Sequence, residues 1–273
     1  MATDTTVRAP GGSATGTYVD VDGLRTYYEV RGSGDPVLLL HGGFATIETW
    51  EVQAAALAER YTVYLPERRG HGRTPDAPGP YSYALMARDT IGLMEKLGIG
   101  PAHAIGWSDG GEVALEMALM RPEQVRTMVL IGAPVDVSGS APELLAFLPK
   151  FRPEHIPEPM RRQYATLSPD GPEHFEVVFE KLLKMWQNEP RHDLSELADV
   201  ATPTLFMVGD DDDVTIEHVA AARRAMPNAQ LAVVPGTDHG LMFEKPELVN
   251  RLLLDFLADE QPRKIFRDAP APA

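Results

Sequence analysis

Ala104-Ile105-Gly106-Trp107-Ser108-Asp109-Gly110-Gly111 is the stretch on which the reading of this chain turns. An apolar run stops abruptly at a serine set between small residues. A strand that turns directly into a helix brings its backbone close to itself, and a Cβ at Gly106 or Gly110 would obstruct that approach. Ser108 then sits on a strained turn with its hydroxyl directed away from the sheet. The helix expected from about Asp109 to Met120 aims its N-terminal N–H groups and dipole at any negative charge that develops beside it. Gly-x-Ser-x-Gly arises by chance in a chain with 23 glycines, so its surroundings carry the reading. A short strand at His103-Ala104-Ile105 precedes it and an alanine- and leucine-rich run at 112–120 follows, which is the order strand, turn, helix.

Outward from that turn, Val37-Leu38-Leu39-Leu40 is a continuous apolar run, as expected of a parallel strand covered on both faces, and it ends in His41-Gly42-Gly43-Phe44. Polar, glycine-rich turns at C-terminal strand ends are where open α/β sheets hold ligands. A helix at 48–60, a strand at 61–65, a charged loop at 67–75, a helix at 82–97 and a strand at 125–131 continue the alternation. Upstream, Asp22-Gly23 between two strand-like runs predicts a hairpin at an antiparallel edge. Only helical patterns occur between 135 and 200, at 142–150, 158–167, 172–188 and 193–199, and prolines punctuate them. A helical insertion at this edge of a sheet is expected to form a cap or lid. Strand periodicity resumes at 204–208 and runs into Gly209-Asp210-Asp211-Asp212-Asp213; a helix follows at 215–226. The last strand, 230–235, ends in Gly236-Thr237-Asp238-His239-Gly240 before a closing helix at 246–257. The expected class is α/β, a mostly parallel sheet with right-handed crossovers and helices on both faces. Its core is 17–134 and 201–258, its cap 135–200, with a disordered lead at 1–16 and a flexible tail at 259–273.

Composition narrows the function classes. A chain of 273 residues with 44% hydrophobic content can fill a sizeable core. Lys plus Arg of 25 against Asp plus Glu of 40 gives a net charge of −15, which repels nucleic acid and anionic lipid surfaces. The absence of cysteine excludes disulfides and thiolate nucleophiles. No apolar run approaches the ~18 residues of a membrane helix. The expectation is a cytoplasmic protein, monomer or homodimer, with a small-molecule substrate and neither nucleic acid nor membrane as partner.

A serine hydroxyl needs a base to take its proton, and the base needs an acid to hold its tautomer. Ser108, the acidic cluster at 210–213 and His239 all fall at C-terminal strand ends, in the order Ser, Asp, His. With His41-Gly42-Gly43, Arg69-Gly70-His71-Gly72, the Ser108 turn, Gly209-Asp210-Asp211-Asp212 and Gly236-Thr237-Asp238-His239-Gly240 in sequence, the chain from about 17 to 257 resembles an α/β-hydrolase-fold serine hydrolase. The resemblance implies Ser108 as nucleophile, His239 as general base and then acid, and Asp212 as the orienting acid. Asp210, Asp211 and Asp213 are adjacent alternatives, and Asp136 is the less common position. It also implies an oxyanion hole from the backbone N–H groups of Asp109 and of Phe44 or Gly43, with no metal and no organic cofactor. His41, Arg69 and His71 resemble fold-supporting residues, and His155, His174, His192 and His218 are expected at the surface.

The Gly-Trp-Ser-Asp-Gly-Gly elbow is similar to that of small-molecule esterases, including valacyclovir-hydrolase-like enzymes that cleave amino-acid esters. That resemblance offers Asp109 as partner of a cationic substrate group; the simpler reading is that Asp109 caps its own helix. The expected reaction is hydrolysis of a small carboxylic ester, thioester or lactone through an acyl-enzyme. The pocket is expected from Phe44, Trp107, Leu241 and Met242, with Phe147, Met185 or Trp186 from the lid. The same triad also serves carbon–carbon bond hydrolysis, perhydrolysis or biosynthetic cyclisation. A non-catalytic ligand-binding protein is the alternative of another class.

Overall fold

The computed structural model describes residues 7–8 and 15–258. Most of the expected lead and all of the expected tail lie outside the described residues. Within the lead, β1 (Val7–Arg8) pairs antiparallel with the start of β2 (Thr15–Val21). The sheet continues through β3 (Leu24–Gly32), β4 (Asp35–Leu40), β5 (Tyr61–Pro66), β6 (Ala102–Trp107), β7 (Val125–Ile131), β8 (Thr204–Gly209) and β9 (Ala229–Val234). Their order is β1-β2-β3-β5-β4-β6-β7-β8-β9, with antiparallel pairing up to β3–β5 and parallel pairing from there on. Asp22 and Gly23, at φ 51° and 88°, form the β2–β3 turn, since that dipeptide tolerates the left-handed conformations a tight hairpin needs.

The apolar run of β4 divides by alternation: Leu38 and Leu40 enter the core on one face of the sheet, Val37 and Leu39 the core on the other. Both faces therefore need helices. α2 (Tyr83–Leu97), α3 (Asp109–Met120) and α7 (Ile216–Ala225) cover the first, while α1 (Glu51–Leu57) and α9 (Pro246–Leu257) cover the second. α2 starts where Ser82 Oγ accepts the N–H of Leu85 and stops at Gly98, φ 65°, an N-cap and a left-handed C-cap in their usual places. Between β7 and β8 the chain is helical, with α4 (Pro142–Phe147), α5 (Glu158–Leu167) and α6 (Phe175–Trp186) as its longest pieces; α8 (Leu241–Glu244) follows β9. The helix expected at 193–199 is only a 3-10 turn, Glu196–Asp199, because Leu197 alone in it is buried. The helix expected from 48 begins as a 3-10 turn, Ile47–Trp50. No helix among the described residues is long and apolar enough to cross a membrane.

Parallel register brings the strand ends to one edge. Leu40 lies beside Gly106, Trp107 beside Ile131, and Gly209 beside Val234. The residues after β4, β6, β8 and β9 therefore converge.

Candidate active site

Ser108 is the single residue between β6 and α3, with φ 53° and ψ −128°. Such a conformation costs about 1–3 kcal/mol in a non-glycine residue and needs surroundings that enforce it. Here Ser108 donates its N–H to Ile131 O at 2.8 Å, and its own carbonyl accepts from Gly111 N at 2.7 Å. A Cβ on Gly106 would collide with the Gly110 backbone, and one on Gly110 with the Leu40 carbonyl. The two glycines thus let β6, α3 and the end of β4 close around the serine.

His239 and Asp212 arrive from the loops after β9 and β8. His239 Nδ1 donates to Asp212 Oδ1 at 2.9 Å, and the Asp212 side chain is fully buried. The N–H groups of Gly209 and Val214 donate to that carboxylate at 3.1 and 3.2 Å, which fixes it in place. Burial alone would lower the His239 pKa, but the hydrogen bond and charge of Asp212 outweigh it and raise the pKa above the ordinary 6.5. The alternatives are otherwise engaged: Asp210 accepts from Thr237 N, Asp136 caps a 3-10 turn through Ser138 N, and Asp211 and Asp213 are exposed. Gly132, just past β7, is the floor of the pair, since a Cβ there would stand 2.9 Å from the His239 ring.

The turn after β4 lies against the serine. A Cβ on Gly42 would be 2.8 Å from the Trp107 ring and 3.3 Å from Ser108 Cβ, and Phe44 adopts φ 54°. Among the described residues, no protein acceptor takes the N–H of Gly43, Phe44 or Asp109. Ser108 and His239 open onto one cavity of about 200 Å³. Such a site can attack an acyl carbon, move the released proton and stabilise an oxyanion.

The model of the alpha/beta hydrolase family matches residues 37–252. The chain belongs to the alpha/beta hydrolase family. A 2-hydroxy-6-oxo-6-phenylhexa-2,4-dienoate hydrolase of Burkholderia cepacia is 29% identical over 86% of this chain and 92% of its own. The mouse sn-1-specific diacylglycerol lipase ABHD11 is 28% identical over 81% and 80%. Among solved structures, a variant of the meta-cleavage product hydrolase CumD from Pseudomonas fluorescens, complexed with acetates, superposes with a TM-score of 0.76 at 26% identity, over 89% of this chain and 98% of that one.

Of the pocket residues expected from sequence, this hydrolase brings only Trp186 to the cavity. Leu241 and Met242 are wholly buried in the core on the far face of the sheet, because α8 turns its apolar side inward. Trp107 packs beside that same core and donates its indole N–H to His239 O at 2.9 Å, supporting the histidine from behind. Phe147 is 38% exposed and meets Phe151 and His155; its neighbours Leu144, Leu148 and Phe151 line the cavity instead. Phe44 and Met185 are buried and stand outside the lining. Of the histidines expected at the surface, only His155 is exposed; His174, His192 and His218 are half-buried and bonded to Asp76, Glu116 and Val135 N. His41 and His71 are buried with pKa values depressed by burial and then by Arg68, so both are neutral parts of the framework.

Asp109 does not cap its helix. Its Oδ1 accepts from Trp186 Nε1 at 2.8 Å and from Tyr83 Oη at 3.0 Å, while Oδ2 is buried and has no hydrogen-bond partner among the described residues. One turn on, Glu112 is 3% exposed, faces the cavity and has no hydrogen-bond partner among the described residues. Burial, then the charges of Asp109 and Glu116, push its pKa well up. Tyr83 and Glu112 were invisible as site residues in the sequence. A glutamate in an alanine-rich helix reads as a solvated face, and only its place three residues after Asp109, on the same face, hints otherwise.

Proposed function

We propose that this member of the family is a serine hydrolase that cleaves a small carboxylic ester through an acyl-enzyme on Ser108. The observation that carries the reading is the 2.9 Å His239–Asp212 bond, with His239 and Ser108 on the wall of one cavity. Ser108 Oγ attacks the acyl carbon as His239 Nε2 takes its proton. The carbonyl oxygen becomes an oxyanion held by the N–H of Asp109 and of Phe44 or Gly43. Collapse expels the alcohol, which takes the proton from His239. Water, deprotonated in turn by His239, then releases the acid and restores Ser108. Residues 135–200 act as the lid, since Leu144, Leu148, Phe151 and Trp186 from that segment roof the cavity.

Carbon–carbon bond hydrolysis is the second reading, favoured by the likeness to the Burkholderia and Pseudomonas enzymes. The acidic lining of the cavity weighs against an anionic dienoate here. Among the described residues its lining includes Asp109, Glu112, Glu189 and Asp213 but neither lysine nor arginine. Acidic side chains with no cation beside them in the lining offer an anion no partner, which favours an uncharged or cationic substrate.

The test is turnover of p-nitrophenyl esters from acetate to decanoate by wild type and Ser108→Ala. The expected outcome is a chain-length optimum in wild type and a loss of about 10³-fold or more in the variant. Fluorophosphonate labelling of Ser108 without ester cleavage would turn the reading towards the carbon–carbon reaction. Failure of both labelling and cleavage in folded protein would leave a ligand-binding protein.

A further inference from the structure

Asp109 follows the nucleophile directly, yet its carboxylate is spent on neither the helix nor an ion pair. Oδ1 receives two donors from elsewhere in the chain: the Trp186 indole N–H at 2.8 Å and the Tyr83 hydroxyl at 3.0 Å. Trp186 is the last residue of α6, inside the segment between β7 and β8, and Tyr83 opens α2. A second bond runs between the same two regions, from Tyr83 N to Glu189 Oε2 at 2.9 Å. Asp109 is 4% exposed, so these bonds are sheltered from water and strengthened by that shelter.

The same junction touches the turn after β4. A Cβ on Gly43 would meet Trp186 Cζ2 at 2.5 Å and Asp109 Oδ2 at 2.8 Å, and the Trp186 ring packs edge-on against Phe44 with centroids 5.6 Å apart. Trp186 is therefore pinned between the carboxylate beside Ser108 and the turn that carries Gly43 and Phe44. Other polar ties of this segment, among them Gln163 to Thr46, Lys181 and His174 to Asp76, and His192 to Glu116, involve neither Ser108 nor its immediate neighbours in the chain.

We propose that Asp109 is a positioning residue, a latch whose carboxylate holds Trp186 of α6 over the Ser108 turn, so that closure of the cavity roof and alignment of the Gly43–Phe44 turn are one event. This rests on reading 135–200 as a lid over a serine hydrolase. When the latch opens, α6 is free to lift and the Gly43–Phe44 turn loses its backing together with it.

Two measurements test it. In the first, hydrogen exchange is followed by mass spectrometry in wild type, Asp109→Ala, Asp109→Asn and Trp186→Phe. Loss of the latch speeds exchange at 175–190 in Asp109→Ala and Trp186→Phe while α9 keeps its protection. Asp109→Asn, which keeps one oxygen acceptor, recovers most of that protection. In the second, a double-mutant cycle on p-nitrophenyl butanoate hydrolysis gives each single variant a loss in kcat/KM of about tenfold. The double variant Asp109→Ala/Trp186→Phe is then no worse than the poorer single, because both break the same bond. Unchanged exchange at 175–190, additive losses, or an Asn variant no better than Ala would each overturn the latch. If Asp109→Ala does not fold, Trp186→Phe, which deletes one donor and keeps an aromatic ring, decides by exchange alone. Exchange needs no turnover, so a wild type inactive on every ester would sink the esterase reading and leave the latch to its own result.

Discussion

Ser108 and His239 are placed by backbone geometry, and the Asp212 carboxylate raises the pKa of His239. In the proposed mechanism His239 must be neutral to accept the Ser108 proton, and its folded pKa is raised, so kcat/KM on an uncharged ester should climb with pH through a midpoint above 6.5. Asp212→Asn removes the charge that raises it and reverses the hydrogen bond at Nδ1, presenting the wrong tautomer. The expected loss is about 10⁴-fold in kcat, read with the same ester, with the remaining acid limb moved to lower pH. Glycine, serine and histidine at strand ends made these residues legible from sequence alone. Glu112 and Tyr83 were not, because a residue's fate on a helix depends on what packs against that helix, and here the partner is a segment dozens of residues away.

At the scale of elements, the loop after β5 illustrates structure bought by a buried charge. Arg73 Nη1 meets Glu67 Oε1 at 2.5 Å, Glu67 is wholly buried, Glu48 accepts a further bond, and the guanidinium lies 4.6 Å from the centre of the Tyr27 ring. The sequence marked this loop only as fold-supporting, and its role is to tie β3, β5 and the 3-10 turn before α1 together. Arg73→Met would strand Glu67 without a cation. Urea denaturation should report a loss of about 3–5 kcal/mol, far more than an exposed pair such as Arg162–Glu158 would cost. The helices between β7 and β8 were legible as helices, and α5 has the bounds expected of it. Their packing was not legible, since four proline-bounded patterns are compatible with many arrangements over a sheet edge.

For the whole molecule, the buried carboxylate of Glu112 links stability to pH. Its folded pKa is raised above the value of about 4.3 expected in the unfolded chain, so below that value it has no destabilising effect. As pH rises through the folded value the unfolded chain has already lost its proton, and the folded state is penalised. Glu112→Gln should therefore raise the urea midpoint at pH 8 and leave it little changed at pH 4. His71, held down to about 3 by burial, acts at the other end: the unfolded chain takes up a proton first as pH falls below 6.5, and stability is lost there.

What the sequence determined by itself is whatever short-range chemistry dictates. Apolar runs too continuous for a one-sided strand demanded helices on both faces, Asp22-Gly23 turned a hairpin, and Gly106 and Gly110 left room for only one kind of turn at Ser108. Strands alternating with helices imply right-handed crossovers and a mostly parallel sheet, whose C-terminal strand ends, where Ser108, Asp212 and His239 sit, share one edge. Tertiary structure alone decided the cavity. Whether Leu241 enters a core or a pocket, and whether the Asp109 carboxylate faces solvent, its own helix or an indole, depends on which surfaces bury most apolar area when distant segments meet. No local pattern encodes that choice, because the energy that makes it is shared among residues far apart in the chain.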